Sequence, residues 1–298
     1  MENYSFYIFT PIILPLVTGI ILLFLLSNIK AQQWINIIFS FLFLISGLLL
    51  FHHVNSNGII ATQAGGWPAP FGITFVADLF SAIMVVMTGL LAFGISLYSV
   101  TTMDNKRSSF GYYPLLNIMY MGICGSVLTG DLFNLFVWFE VMLISSFVLL
   151  SLGGLKAQLE GTIKYVTINL ISSAIFLAAI GILYGVTGTL NMADLAEKVP
   201  LAENQTMILI AAILFLMTFG IKSALFPLFF WLPASYHTPP IAISAIFAGL
   251  LTKVGVYALI RIFTLVFTHQ VAYTHTILLV IAGFTMVVGV LGAASQGE

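Results

Sequence analysis

The chain has 298 residues, of which 60% are hydrophobic and only 6% are charged. Soluble domains carry about 25% charged residues, so this chain has too few charges to cover a water-exposed surface, which excludes soluble and disordered classes. Nine basic and ten acidic residues leave a net charge of −1, which excludes a basic surface for nucleic acid. A single cysteine excludes a disulfide framework and cysteine-ligated metal clusters. The composition therefore predicts a polytopic protein of the lipid bilayer with no nucleic-acid partner.

Nine apolar segments are long enough to cross a bilayer, which requires about 20 residues in an α-helix. In chain order they are 6–26, 34–53, 72–100, 112–129, 132–152, 164–187, 207–236, 241–262 and 276–293. A membrane β-barrel would instead show strands of about ten residues with alternating polarity, whereas these apolar runs are continuous. The sequence therefore predicts an all-α fold with about nine transmembrane helices.

The lysines and arginines between these segments and at their ends predict the orientation of the chain, because positively charged loops stay in the cytoplasm. With the N-terminus outside, the cytoplasmic side receives Lys30, Lys106, Arg107, Lys156 and Lys164. The outer side then receives only Lys198 and Arg261. We therefore expect a multi-pass protein of the cell (plasma) membrane with its N-terminus outside.

Three charged residues lie near the middle of predicted spans, where a charge costs roughly 2.5–3.5 kcal/mol on insertion scales. They are Glu140 in the fifth span, Lys222 in the seventh and Lys253 in the eighth. One interpretation is structural, namely an ion pair that holds two helices together, which would leave one lysine over. The other is an intramembrane ion or proton relay, which is the usual role of ionisable residues inside a membrane.

A lysine and a carboxylate in this setting have the chemistry to carry protons. Burial in the membrane favours the neutral amine, whereas a neighbouring carboxylate favours the charged ammonium. A lysine whose carboxylate partner moves away or is neutralised can therefore release a proton near neutral pH. These opposed effects make Glu140, Lys222 and Lys253 the candidate proton relay.

The seventh predicted span, 207–236, is longer than a membrane crossing requires and contains Pro227 and Pro233. Proline removes a backbone donor and clashes with the preceding turn, so this helix is predicted to be broken. Broken helices beside an ionisable residue mark ion sites in transporters, because the freed backbone groups need a polar lining. Lys222 precedes Pro227 by five residues, which favours such a site over an ordinary proline kink.

Two further groups are secondary candidates for the relay. Lys164 begins a polar face of the sixth span, and it either admits protons from the cytoplasm or extends to the membrane surface. The other residues of that face are Thr167, Asn169, Ser172 and Ser173. His237 follows the broken span, and it either shuttles protons between Lys222 and Lys253 or forms a hydrogen bond within a turn.

Two aspartates have a simpler interpretation or none. Asp131 follows Thr129 and Gly130 at a predicted helix start, so we expect it to cap the helix N-terminus rather than to take part in transport. Asp78 lies about one turn into the third predicted span, and the sequence assigns it no role.

Four stretches of the sequence together resemble one family of membrane proteins. They are TGDLFNLFVWFE at 129–140, GIKSALFP at 220–227, WLPASYHTPP at 231–240 and GLLTKVG at 249–255. These motifs are similar to those of the antiporter-like subunits shared by Mrp-type Na⁺/H⁺ antiporters and respiratory complex I. The ASYHTPP run is most similar to the D-type subunits of the Mrp branch. The resemblance covers essentially the whole chain.

The resemblance implies a role for each charged residue inside the membrane. In this family, a glutamate of the fifth helix and lysines of the seventh and eighth helices form a proton-conducting axis, and these match Glu140, Lys222 and Lys253. A sixth-helix lysine that pairs with this axis matches Lys164. The implied activity is exchange of cytoplasmic Na⁺ for external H⁺ by one subunit of a hetero-oligomeric antiporter complex. Such a subunit needs no cofactor, no metal and no redox or hydrolytic site, so we expect a transporter rather than an enzyme.

The resemblance also implies a domain organisation. Residues 1–111 would form an N-terminal three-helix segment, 112–262 a five-helix antiporter repeat, and 263–298 the loop and first helix of an inverted second repeat. Family members continue for several more helices, so we expect this chain to be truncated after its ninth span. Two alternative functions are a proton-translocating membrane-arm subunit of a complex I-like NADH:quinone oxidoreductase, and a truncated fragment that conducts nothing.

Overall fold

The computed structural model describes residues 5–268 and 271–295, without the side chains of Val271 and Ala272. Its helices are α1 (Ser5–Leu23), α2 (Ile29–Asn57), α3 (Leu79–Thr102), α4 (Asn105–Ser109), α5 (Tyr112–Leu128), α6 (Leu132–Ser151), α7 (Lys156–Thr187), α8 (Met192–Leu201), α9 (Gln205–Ser223), α10 (Trp231–Tyr236), α11 (Ile241–Ile246), α12 (Thr252–Leu265) and α13 (Val271–Ala294). A π-helical turn, Phe247–Leu251, joins α11 to α12. Two short strands, β1 (Ile60–Gln63) and β2 (Thr74–Ala77), lie between α2 and α3. The predicted first and last domains include 1–4, 269–270 and 296–298, which lie outside the described residues.

Eight helical segments of the described residues are long and apolar enough to cross a membrane. They are Ser5–Leu23, Ile29–Asn57, Leu79–Thr102, Leu132–Ser151, Lys156–Thr187, Gln205–Ser223, Ile241–Leu265 and Tyr273–Ala294. The remaining predicted span, 112–129, is the 17-residue helix α5, which is almost entirely buried. It packs against α1, α3, α6 and α12. The prediction of an all-α polytopic membrane protein is therefore confirmed.

The third span begins later than the sequence predicted, because the first residues of that segment form a β-hairpin. Strands β1 and β2 pair antiparallel. Helix α3 begins at Leu79 because Asp78 caps it: the Asp78 carboxylate accepts a hydrogen bond from the Ser81 amide at 2.9 Å, and the Ser81 hydroxyl accepts one from the Asp78 amide at 2.9 Å. The predicted segment 72–100 is therefore corrected to a strand followed by a helix.

Backbone hydrogen bonds connect this hairpin to the ends of three helices. The Gly130 amide, after α5, donates to the Thr74 carbonyl at 2.8 Å, and the Met192 amide of α8 donates to the Gly130 carbonyl at 2.8 Å. Asp131 caps α6 as predicted, because its carboxylate accepts from the Asn134 amide at 2.8 Å. The hairpin thereby fixes the relative positions of α5, α6 and α8 at one end of the bundle, which we call the hairpin end.

Two glycines allow the helices around the site to approach closely. A Cβ at Gly122 of α5 would lie 2.8 Å from the Met142 amide nitrogen of α6. A Cβ at Gly255 of α12 would lie 2.8 Å from the amide nitrogen of Ser223, the last residue of α9. Small residues at helix crossings permit this backbone proximity in membrane proteins. The two crossings place α5 against α6, and α12 against the end of α9.

Candidate functional site

The break predicted in the seventh span is present and begins before the prolines. Helix α9 ends at Ser223, and Ala224 adopts a left-handed conformation with φ of 57°. The Leu225 amide donates to the Gly220 carbonyl at 2.9 Å, and the Trp231 indole N–H donates to the Ile221 carbonyl at 3.1 Å. The end of α9 is therefore capped by an indole from the next helix, α10. These bonds satisfy backbone carbonyls that the broken helix leaves without their usual partners.

Three side chains from three helices meet beside this break: Glu140 of α6, Ser173 of α7 and Lys222 of α9. The Ser173 hydroxyl donates a hydrogen bond to the Glu140 carboxylate. The Lys222 ammonium donates to the same Ser173 oxygen at 3.3 Å. Lys222 is only 5% exposed, whereas Glu140 is partly exposed. The structure therefore brings together two of the predicted relay residues and adds a hydroxyl between them.

Glu140 and Lys222 do not form a direct ion pair. The ion pairs among the described residues are Arg107 with Asp104, Lys164 with Glu160, Lys198 with Asp194, and Arg261 with Asp78. The purely structural interpretation, an ion pair between these two helices, therefore has no direct contact to support it. Instead, the Ser173 hydroxyl joins the Lys222 ammonium to the Glu140 carboxylate through two hydrogen bonds.

A phenylalanine ring from a packed aromatic cluster lies beside the lysine. The Lys222 ammonium lies 5.0 Å from the centroid of the Phe139 ring, and an aromatic face attracts a cation at this distance. Phe139, Phe176 and Phe219 are fully buried, and their ring centroids lie 5.1–6.2 Å apart. Lys222 therefore has a polar partner on one side and packed aromatic surface on another.

A second pair of hydrogen bonds fixes α7 against α9 one turn from the lysine. The Ser172 hydroxyl donates to the Thr218 carbonyl at 3.0 Å, and the Thr218 hydroxyl donates to the Ser172 carbonyl at 3.4 Å. This reciprocal contact joins the two helices beside the Ser173–Lys222 contact, without involving an ionisable group. The sequence had placed Ser172 and Ser173 on a polar face of the sixth span, but it did not distinguish their roles.

Lys253 lies apart from these three residues. Its ammonium is exposed and donates to the Ala248 carbonyl of the π-helical turn at 2.6 Å. Gly255, which packs on the end of α9, is two residues further along α12, a rotation of about 200°. The Lys253 side chain therefore leaves α12 on the side opposite to α9, and no hydrogen bond joins it to Glu140 or Lys222 within the described residues.

The two secondary candidates are also exposed. Lys164 pairs with Glu160 at 2.8 Å, one turn earlier on α7. The His237 ring nitrogen Nδ1 lies 2.5 Å from the Pro233 carbonyl, which is the local hydrogen bond that one interpretation of this residue predicted. Neither side chain touches the Glu140–Ser173–Lys222 group. Among the described residues, no group of three or more His, Cys, Asp or Glu side chains is placed to hold a metal ion.

An acid–base cluster that the sequence did not predict lies toward the hairpin end. Arg261, predicted near the outer end of the eighth span, lies within α12, and its guanidinium donates to both carboxylate oxygens of Asp78 at 2.5 and 2.8 Å. The Tyr257 hydroxyl accepts from Arg261 at 2.8 Å and donates to the Val127 carbonyl at 2.8 Å. Burial raises the pKa of Asp78, but the hydrogen bonds from Arg261 and from the Ser81 amide outweigh it and hold that pKa at about 2. The cluster therefore ties α3, α5 and α12 together.

Comparison with known proteins places this arrangement in a family. Residues 129–298 match the family described as NADH:quinone oxidoreductase/Mrp antiporter, transmembrane. The D-type subunit of the Na⁺/H⁺ antiporter from Alkalihalophilus pseudofirmus is 45% identical over 286 residues, which cover 96% of this chain and 58% of that protein. The corresponding D-type antiporter protein of Bacillus subtilis is 42% identical over 98% of this chain and 59% of its own length. The chain thus spans less than two thirds of these relatives.

Solved structures show the same fold. A chain of the Mrp complex from Dietzia sp. DQ12-45-1b superposes with a TM-score of 0.91 at 30% identity, covering 99% of this chain and 55% of the other. A chain of the membrane-bound sulfane sulfur reductase, an archaeal respiratory membrane complex, gives a TM-score of 0.81 at 30% identity, over 86% and 53% respectively. These similarities confirm the resemblance that the motifs predicted. The chain therefore belongs to the NADH:quinone oxidoreductase/Mrp antiporter family of transmembrane proteins.

Proposed function

We propose that this chain is part of a subunit of a multi-subunit secondary antiporter that exchanges cytoplasmic Na⁺ for external H⁺. The observation that carries the proposal is the buried Lys222, which is joined to Glu140 through one hydroxyl rather than by direct contact. The charge of such a lysine loses stabilisation when the carboxylate is neutralised or moves away. The similarity to proteins named as subunits of Na⁺/H⁺ antiporters supports the same activity and the presence of partner subunits.

In the proposed mechanism, Glu140 and Lys222 form a switching pair. While Glu140 is ionised, it stabilises the ammonium of Lys222 across the Ser173 hydroxyl. When Glu140 is protonated or moves away, the buried ammonium loses this support and gives up its proton. The break after α9 supports this step, because a helix that ends one residue after Lys222 can move without bending a continuous rod.

The remaining predicted residues extend the relay in this proposal. Lys253 receives the proton and passes it on, while Lys164 and His237 have secondary roles at the exposed surface of the chain. We place the protein in the cell membrane with its N-terminus outside, so that the hairpin end faces outward. The segment 112–262 would act as one antiporter repeat, preceded by the three-helix segment 1–111.

Transport in the complete complex tests the proposal. We expect Glu140→Ala and Lys222→Ala to abolish Na⁺-dependent proton movement in everted membrane vesicles, with the complex assembled in normal amounts. Lys198→Ala is the matched control, because Lys198 belongs to an exposed ion pair with Asp194 on α8 and touches none of the relay residues. Normal exchange in both relay variants, at normal assembly, would show that the proposal is wrong.

The similarity to a chain of a respiratory membrane complex supports a second candidate function, a proton-translocating subunit of a complex I-like assembly. This alternative predicts that the protein co-purifies with a flavin or iron–sulfur partner, and that deletion removes inhibitor-sensitive NADH oxidation. Purification without a redox partner, together with Na⁺-dependent exchange, would favour the antiporter.

A further inference from the structure

The Ser173 hydroxyl lies in the position of a proton carrier. It donates its own hydrogen to the Glu140 carboxylate and accepts a hydrogen from the Lys222 ammonium. A serine hydroxyl has one hydrogen and two acceptor lone pairs, so it can hold both bonds at once. The three groups therefore form an unbroken hydrogen-bonded line from nitrogen to carboxylate oxygen.

We propose that Ser173 is the relay residue through which the proton passes between Lys222 and Glu140. The Glu140 O–H bond breaks as an O–H bond forms at Ser173 Oγ, and the original Ser173 O–H bond breaks as an N–H bond forms at the neutral Lys222 amine. The acid becomes a carboxylate, the amine becomes an ammonium, and the serine ends with one hydrogen, in the hydrogen-bonded arrangement that the structure shows. The ammonium gives up its proton when Glu140 is protonated again. This inference rests on the proposed function, because it assumes that the pair exchanges a proton.

The surroundings favour a hydroxyl over a water molecule as the carrier. Lys222 and Ser173 are buried, and the Phe139, Phe176 and Phe219 rings are fully excluded from solvent. Truncation of Ser173 to alanine removes the oxygen that both hydrogen bonds share, so the line between Lys222 and Glu140 is interrupted.

Ser172 provides the matched control. It is the adjacent residue on the same helix and is also buried, and its hydroxyl likewise bonds to a residue of α9. Its partner is the backbone carbonyl of Thr218 rather than an ionisable group. Loss of the Ser172 hydroxyl therefore removes a similar hydrogen bond between helices, while the hydrogen bonds among Lys222, Ser173 and Glu140 remain.

The experiment compares Ser173→Ala, Ser173→Thr and Ser172→Ala in the complete complex, with Glu140→Ala as the inactive reference. Na⁺-driven proton exchange is measured per assembled complex in H₂O and in D₂O. We expect Ser173→Ala to lower exchange about tenfold or more, because a positioned proton-transfer group contributes about 10²–10⁴-fold. The solvent isotope effect should rise, since proton transfer becomes rate-limiting. Ser173→Thr retains a hydroxyl and should stay within a few-fold of the unmodified chain, as should Ser172→Ala.

Two outcomes would overturn the role of Ser173 while leaving the proposed function intact. One is normal exchange in Ser173→Ala alongside an inactive Glu140→Ala. The other is equal impairment of the alanine and threonine variants with an unchanged isotope effect, which would assign the loss to packing. Retained exchange in the Glu140→Ala reference itself would instead show that the proposed function is wrong.

Discussion

Two acid–base groups connect separate helices in this protein, and they are built differently. Arg261 and Asp78 touch directly through two hydrogen bonds, and both side chains are about one-fifth exposed. Lys222 and Glu140 have the Ser173 hydroxyl between them, and the lysine is almost fully buried.

The difference indicates different roles for the two pairs. We call the Arg261–Asp78 pair the clamp, because it holds helices together, and the Glu140–Lys222 pair is the proposed switching pair. A direct bidentate pair holds both charges in place and fixes the two helices that carry them. In the other pair, a hydroxyl separates the two charged groups, so the charge of the buried Lys222 depends on whether Glu140 carries a proton. The first arrangement suits stability, and the second suits transfer of a proton. Loss of Arg261 should therefore lower stability more than exchange, and loss of Lys222 should lower exchange more than stability.

Lys222→Met should have the largest effect on transport and a small effect on stability. The variant removes the transferable proton, and we expect exchange to fall to background. It also removes a buried charge, whose desolvation costs several kcal/mol, so the lost contact with Ser173 is largely offset. The thermal unfolding temperature of the purified complex and the exchange rate in vesicles are the two measurements. A large drop in the unfolding temperature at unchanged exchange would reverse the assignment of the two sites.

Arg261→Met should show the opposite pattern. It leaves the Asp78 carboxylate and the Tyr257 hydroxyl without their partner, which we expect to cost about 1–3 kcal/mol. Exchange per assembled complex should be retained, because the cluster contacts none of the relay residues. Thermal unfolding, with assembly measured separately, checks this. Unchanged stability would argue against the clamp.

The clamp also has a predicted pH dependence. The pKa of Asp78 is lowered from its ordinary 3.8 to about 2 in the folded chain. Its contribution to stability is therefore present above about pH 4 and is lost as the pH falls toward 2. Asp78→Asn keeps the helix cap but removes the charge, so it should lower stability at pH 7. The variant should also lack the part of the fall in stability between about pH 4 and pH 2 that comes from Asp78. Acid unfolding curves of the two proteins should converge near pH 2, and parallel curves would contradict the prediction.

Lys164→Gln and His237→Gln should have the smallest effects. Both side chains are exposed and bonded locally, to Glu160 and to the Pro233 carbonyl, and neither contacts Glu140, Ser173 or Lys222. We expect a reduction in exchange of no more than a few-fold for each, measured beside Lys222→Met. Complete loss in either variant would show that the relay depends on a surface group as strongly as on the buried lysine.

Much of the fold and part of the site were predictable from local properties of the sequence. Glu140 and Lys222 stood out because charges are costly in apolar segments, and Pro227 and Pro233 indicated the broken helix. The β-hairpin before α3 was missed because Thr74–Ala77 is as apolar as the helix that follows it. Hydrophobicity alone does not separate a short buried strand from the start of a membrane helix.

The sequence by itself determined the membrane class, most of the helical spans, the family motifs and Lys222 as a buried charge, because each depends on residues close together in the chain. The tertiary structure decided which charges meet. Ser173 lies 33 residues from Glu140 and 49 from Lys222, and Asp78 lies 183 residues from Arg261. Only the packing of α7 against α6 and α9, and the contact of α12 with the start of α3, bring these groups within hydrogen-bonding distance, since such contacts depend on helix rotation and register rather than on composition.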